Sequence, residues 1–222
     1  MDREFDQALV AKAFELIAEV GWRRLSVAQA AREAGLKLDQ ARTRFPLPLA
    51  VLLRFGVMAD QAALADAASE GPVRDRLFDI VMRRIDVLQA NRRGVLALLR
   101  ALPSEPGLAL MLTAASLRSM VWLLEGAGIS ATGPIGLLRA KGMLAVWLWT
   151  VRAWQNDDTA DLSATMAALD VALNRAEQAA GWLPGGRRSA VAEPEAEQSA
   201  PADDLPTVVV STPPDPPASP PM

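Results

Sequence analysis

Between Lys37 and Arg44 the chain places Lys37, Asp39, Gln40, Arg42, Thr43 and Arg44 within eight positions. Side chains of these types do the chemistry of recognition, not of bond breaking. Lys and Arg neutralise phosphate, while Gln, Arg and Thr reach base edges through directed hydrogen bonds. The surrounding segment, 22–54, carries seven basic side chains against only Glu33 and Asp39. The net charge of the 222-residue chain is −3. That value hides a segregated basic patch near the N-terminus, which is the electrostatic footprint of phosphate binding. Groups for covalent chemistry are scarce. There is no His, no Cys and no Tyr, which excludes an imidazole base, a thiolate nucleophile, a His/Cys zinc site and a disulfide. No carboxylate pair, Gly-rich phosphate loop or nucleophile motif appears. The expectation is a protein that is not an enzyme, with no catalytic residue, no metal and no cofactor. Asp157, Asp158 and Asp161 read as helix-capping residues, because orphan N–H groups and the helix dipole favour Asp at a first turn.

The elements that must position these residues are helices. Ala, Leu, Arg, Glu and Gln dominate, and no window alternates like a strand. The pattern predicts an all-α chain of about nine helices. The first covers roughly 4–20, with Leu9, Val10, Ala13, Phe14 and Ile17 on one face and Gly21 closing it. Ser26-Val-Ala-Gln29 reads as a capping box in which Ser26 accepts from an early N–H and Gln29 reaches back. It opens a short helix ending near Ala34, followed by a corner at Gly35. A third helix runs from about Leu38 to Phe45, where Pro46 stops it. Pro48 suits the first turn of a fourth. Later helices are expected at roughly 72–91, 92–102, 106–126, 134–156 and 158–181. Two short helices joined at a Gly and covered by a longer one form a helix-turn-helix. Ala41 and Phe45 should point inward, leaving Lys37, Asp39, Gln40, Arg42, Thr43 and Arg44 outside.

Composition changes after Leu183. Ten of the 16 prolines lie in 184–222, with six acidic residues against Arg187 and Arg188. This stretch has little to bury and reads as a disordered, Pro-rich tail. The organisation expected is therefore 1–56 as the helix-turn-helix unit, 57–183 as a second helical domain and 184–222 as tail. The N-terminus lacks a basic, apolar leader pattern, and the longest apolar runs, such as 142–151, fall short of a membrane span. A soluble, cytoplasmic protein with no membrane span is expected.

Leu25-Ser-Val-Ala-Gln-Ala-Ala-Arg-Glu-Ala-Gly35-Leu36, followed by Phe45-Pro46 before another helix, resembles the TetR-family DNA-binding domain. The resemblance implies that the third helix is the recognition helix and that the later helices form a ligand-binding and dimerisation domain. It carries DNA contact to Ser26, Lys37, Gln40, Arg42, Thr43 and Arg44, on a palindromic double-stranded site read by a homodimer. Arg42 stands where the family usually has Tyr, and Pro48 where it usually has Lys. A second likeness lies in Trp122-Leu-Leu-Glu-Gly-Ala-Gly128, Arg139 to Trp147, and Trp154-Gln-Asn-Asp157. These resemble the TetR-fold, lipid-binding accessory protein of ubiquinone biosynthesis. That likeness implies a lipid ligand and a helix-turn-helix that no longer regulates.

The C-terminal half leaves two uses open for its apolar residues. Trp147 and Trp154 occur in a helix apolar on every side, which is buried in a core or covered by a partner. They could equally wall a pocket for an apolar ligand, with Met120 and Trp122 opposite. Glu125 and Lys141 are the charges within these apolar neighbourhoods, either as a polar anchor or as solvent-facing groups. Leu162, Met166, Leu169 and Leu173 repeat at helical spacing and form a packing seam, expected at the dimer interface.

Overall fold

The computed structural model describes residues 2–65, 67 and 70–181, with side chains through Ala179. The Pro-rich segment 184–222 lies outside the described residues. Nine α-helices and two short 3₁₀ turns, and no strand, occur among the described residues. The helices are α1 (Asp2–Val20), α2 (Val27–Glu33), α3 (Leu38–Arg44), α4 (Pro48–Leu64) and α5 (Val73–Ala90). They continue with α6 (Arg92–Ala101), α7 (Pro106–Gly126), α8 (Gly133–Gln155) and α9 (Ser163–Gly181). The all-α expectation and the helix order hold.

Periodicity explains the packing. On α1, Leu9, Val10, Ala13, Phe14 and Ile17 form a buried stripe, which packs across α6 and against α4 and α2. Contact with α6 is close because Gly94 has no side chain. A Cβ at Gly94 would lie 2.2 Å from the Phe14 carbonyl oxygen. α4 packs on α5 and α7, α7 on α8, and α8 along α9. The expected boundary at 56 falls inside α4, which runs unbroken from the helix-turn-helix into the second half.

α7 is long and apolar enough to cross a membrane, contrary to the expectation that no segment is. Here Met120, Leu123 and Leu124 in its C-terminal half are buried, facing α4, α5 and α8. Another departure concerns the start of α9, at Ser163 instead of 158. Residues 157–162 loop back first. Asp157 Oδ2 accepts from both the N–H (2.7 Å) and hydroxyl (2.7 Å) of Thr165, and its Oδ1 accepts from the N–H of Thr159 at 3.1 Å. Asp161 accepts from the Ser163 N–H at 3.2 Å. Asp157 and Asp161 cap as expected, Asp157 across a loop, whereas Asp158 is exposed and meets Arg92 at 3.4 Å instead of capping.

Candidate functional site

The helix-turn-helix is built from its caps. Ser26 Oγ accepts from the Gln29 N–H at 3.3 Å, so this residue anchors the start of α2. Gln29 does not reach back; its amide donates to Glu33 at 2.9 Å. At the other end the Gly35 N–H bonds to the Arg32 carbonyl and the Leu36 N–H to the Ala31 carbonyl at 2.8 Å. This paired closure needs a left-handed residue, and Gly35 has φ +68°. α3 then lays Ala41 and Phe45 into the core. Lys37, Gln40, Arg42 and Thr43 are all exposed on its other side, as expected.

Arg44 is placed differently. Instead of facing outward it turns to α1, where its Nε donates to Asp6 Oδ1 at 2.7 Å and its Nη1 to Asp2 Oδ1 at 3.0 Å. Arg54 on α4 meets the second Asp6 oxygen at 2.6 Å. The Asp6 side chain is 3 % exposed. Burial by itself would raise its pKa, but hydrogen bonding and charge from Arg44 and Arg54 hold it below the ordinary value. Asp6 therefore ties α1, α3 and α4 together. Arg42 is also engaged, donating to the Pro46 carbonyl at 3.0 Å and bracing the turn after α3.

The six residues expected to wall a ligand pocket do not form one wall. Met120, Trp147 and Trp154 are buried, whereas Glu125 and Lys141 are exposed and Trp122 is 57 % exposed. What lies in the interior is a polar cluster that sequence reasoning missed. Asp60 of α4 pairs with Arg84 of α5 at 2.9 Å and accepts from Ser119 Oγ of α7 at 2.5 Å. The Arg84 guanidinium lies 4.5 Å from the centre of the Trp147 ring on α8. Arg84 is 4 % exposed, and its Nε has no hydrogen-bond partner. Burial raises the Asp60 pKa against the opposing pull of Arg84 and Ser119, and burial lowers that of Arg84. A signal existed. Arg84 continues the apolar face of Leu77, Ile80, Val81 and Leu88, where helical period demands a nonpolar residue. Asp6 likewise continues the face of Leu9, Val10 and Ala13. Trp154 is held by a bond from its Nε1 to Gln89 at 2.8 Å, with Arg92 4.8 Å above its ring.

The seam of Leu162, Met166, Leu169 and Leu173 faces inward too. Leu162, Leu169 and Leu173 are buried within the single chain and Met166 is half-buried, because α9 packs this side on α8 and α5. The large apolar residues left outside on the last two helices are Ile135, Leu137, Leu138, Leu148 and Trp149 of α8 and Val171 of α9.

No family model and no curated protein matches the sequence. The fold, however, is that of the TetR transcriptional regulators. The TetR regulator from Nitrosomonas europaea superposes with a TM-score of 0.60 at 20 % identity, over 80 % of this chain and 98 % of that one. A TetR-family regulator from Streptomyces coelicolor gives 0.53 at 17 % identity, over 81 % of each chain. A transcriptional regulator from Rhodococcus gives 0.52 at 19 % identity, over 81 % of this chain and 99 % of that one.

Proposed function

We propose that the chain is a dimeric, DNA-binding transcriptional regulator that responds to an apolar ligand. The observation that carries this reading is the α2–Gly35–α3 unit. It holds an exposed polar face of α3 on a rigid base, within a fold shared with solved regulators. Phosphate contact falls to Lys37 and Arg42, with Gln40 and Thr43 toward the bases. Two copies would read a palindromic duplex with half-sites one helical turn apart, or a multiple of that. The copies would meet through the outward faces of α8 and α9, where Leu138, Leu148, Trp149 and Val171 are exposed.

Ligand response would pass through α4. Arg54 holds the reading head through Asp6, and Asp60, six residues along the same helix, holds the buried cluster. An apolar molecule entering beside Trp147, with one polar group toward Arg84, would compete with Asp60 and shift α4. Ligand and DNA would then alter one another's affinity by the same factor, because coupling is reciprocal. The test is a fluorescence titration of the purified full chain against a duplex from the region upstream of its own gene. Binding that weakens with salt supports the reading, and no binding at low salt overturns it.

The second reading, a lipid-binding accessory protein of quinone biosynthesis, is favoured by the apolar residues that α7 leaves outside. Leu110, Met111 and Trp122 are all exposed there. Mass spectrometry of the purified protein separates the two. A copurified isoprenoid or phospholipid that leaves DNA affinity unchanged would favour the second.

A further inference from the structure

We propose that base selection by this reading head centres on Asp39, whose carboxylate specifies cytosine in the major groove; the proposal rests on the DNA-binding reading above. Ala41 and Phe45 fix the buried side of α3. At 100° per residue, Asp39 and Thr43 stand about 120–160° away from that side, so they form the centre of the outward face. Gln40 and Arg42 lie at its flanks. Neither arginine stands at the centre of this face: Arg44 is engaged with Asp2 and Asp6, and Arg42, on the flank with one N–H on the Pro46 carbonyl, is left for phosphate.

What remains at the centre accepts hydrogen bonds. The Asp39 carboxylate has no hydrogen-bond or ion-pair partner among the described residues, and its side chain is exposed. The Thr43 hydroxyl donates its proton to the Asp39 carbonyl at 2.9 Å, so it offers only lone pairs outward. Asp39, Gln40 and Thr43 also line a groove of about 670 Å³ between α3 and α1, shared with Asp2 and Glu4 and with Arg44, which is bonded to Asp2. A carboxylate needs a donor on the base edge and is repelled by acceptors. Guanine presents N7 and O6 and thymine presents O4, all acceptors; adenine pairs its N6 donor with an N7 acceptor beside it. Cytosine presents the N4 amino group with no acceptor next to it on the same base. Carboxylates close to the phosphate backbone also weaken binding to unrelated duplexes, since nonspecific affinity is mostly electrostatic.

The experiment is enrichment from a randomised duplex library with the full-length wild type and with Asp39→Asn, followed by titrations. Asn keeps the shape and removes the charge. The wild type should enrich a site with a cytosine in each half. Replacing that C·G pair by T·A should cost the wild type about tenfold or more in affinity, and Asp39→Asn less than about threefold. Asp39→Asn should also bind unrelated duplex more tightly than the wild type does. Gln40→Ala should keep the cytosine preference. Equal losses in wild type and Asp39→Asn, or an enriched site without cytosine preference, would overturn the proposal while leaving DNA binding intact. A preference abolished by Gln40→Ala but kept by Asp39→Asn would overturn it as well. A wild type that enriches nothing and binds no duplex at low salt would instead sink the DNA-binding reading, and this proposal with it.

Discussion

Lys37 and Arg44 sit seven positions apart in a short basic segment, yet the structure gives them opposite roles. Lys37 is exposed without a hydrogen-bond or ion-pair partner among the described residues, while Arg44 bonds Asp6 and Asp2. Lys37→Ala should lower the slope of log affinity against log salt by about 0.9, the value for one lost phosphate contact. Arg44→Ala should weaken binding to every duplex with the slope unchanged, because it loosens α3 without removing a phosphate contact. Salt titrations of the two variants check this. A basic residue on an α3 turn was legible in the sequence; its partner 38 positions earlier was not, because a long-range ion pair leaves no local pattern. Asp157 shows the same limit, since its cap on Thr165 crosses a loop. Bonds from Thr159 and Thr165 outweigh the opposing effect of burial and hold its pKa well below the ordinary 3.8. Below pH 3.8 the unfolded chain binds more protons at this site, so stability rises with pH there. The contribution is full above 3.8 and is lost as pH falls toward the folded value. Asp157→Ala should cost about 1.5–3 kcal/mol near neutral pH and flatten the acid limb of stability, as urea unfolding from pH 6 to pH 3 would show. Gly94→Ala should cost about 1–3 kcal/mol or more, read as a lower melting temperature, because its methyl group would press on the Phe14 backbone.

At the scale of elements, α4 joins what sequence reading divides. Pro48 at its first turn made the start of this helix legible, but its end at Leu64, past the boundary expected at 56, was not. Composition does not change where a helix passes from one packing environment into another. Helix existence was generally plain from periodicity and from Gly and Pro breaks. Helix partners were not, as the buried seam on α9 shows: spacing identifies an apolar face without naming what covers it. α4 also brings Asp60 to Arg84, and here charge and packing oppose each other. Asp60→Asn should cost about 3–5 kcal/mol, because Arg84 would stay buried without a counter-charge. Replacing both groups, as Asp60→Leu with Arg84→Met, should restore stability to near that of the wild type. If the cluster couples ligand to DNA through α4, the double variant should fold and bind DNA yet lose the ligand's effect on affinity. Denaturant unfolding together with DNA titration, with and without a hydrophobic ligand that shifts the Trp emission, checks both halves.

At the scale of the molecule, assembly turns on which apolar residues a single chain leaves uncovered. Leu169 is 0 % exposed inside one chain, whereas Trp149 is 51 % and Val171 44 % exposed. On α8 the outward line of Leu138, Ala145, Leu148 and Trp149 carries only Lys141 and Arg152 as charges. Arg175 of α9 lies 6.0 Å from the Trp149 ring, which makes the two helix faces neighbours. Large apolar side chains clustered in this way mark a surface that another chain covers. Two helices from each copy would then form a four-helix contact about a two-fold axis, in which each patch meets itself. Light scattering should give the wild type at twice the 23.7 kDa chain mass. Trp149→Glu with Val171→Glu should give a folded monomer, because both positions face outward and Glu is solvated once the copies part. Leu169→Glu should instead lose the helical fold, because it places a charge in the core of the single chain at a cost of several kcal/mol. Circular dichroism distinguishes the two results. A wild type that stays monomeric at micromolar concentration, or a Trp149 and Val171 variant that remains a dimer, would refute this interface.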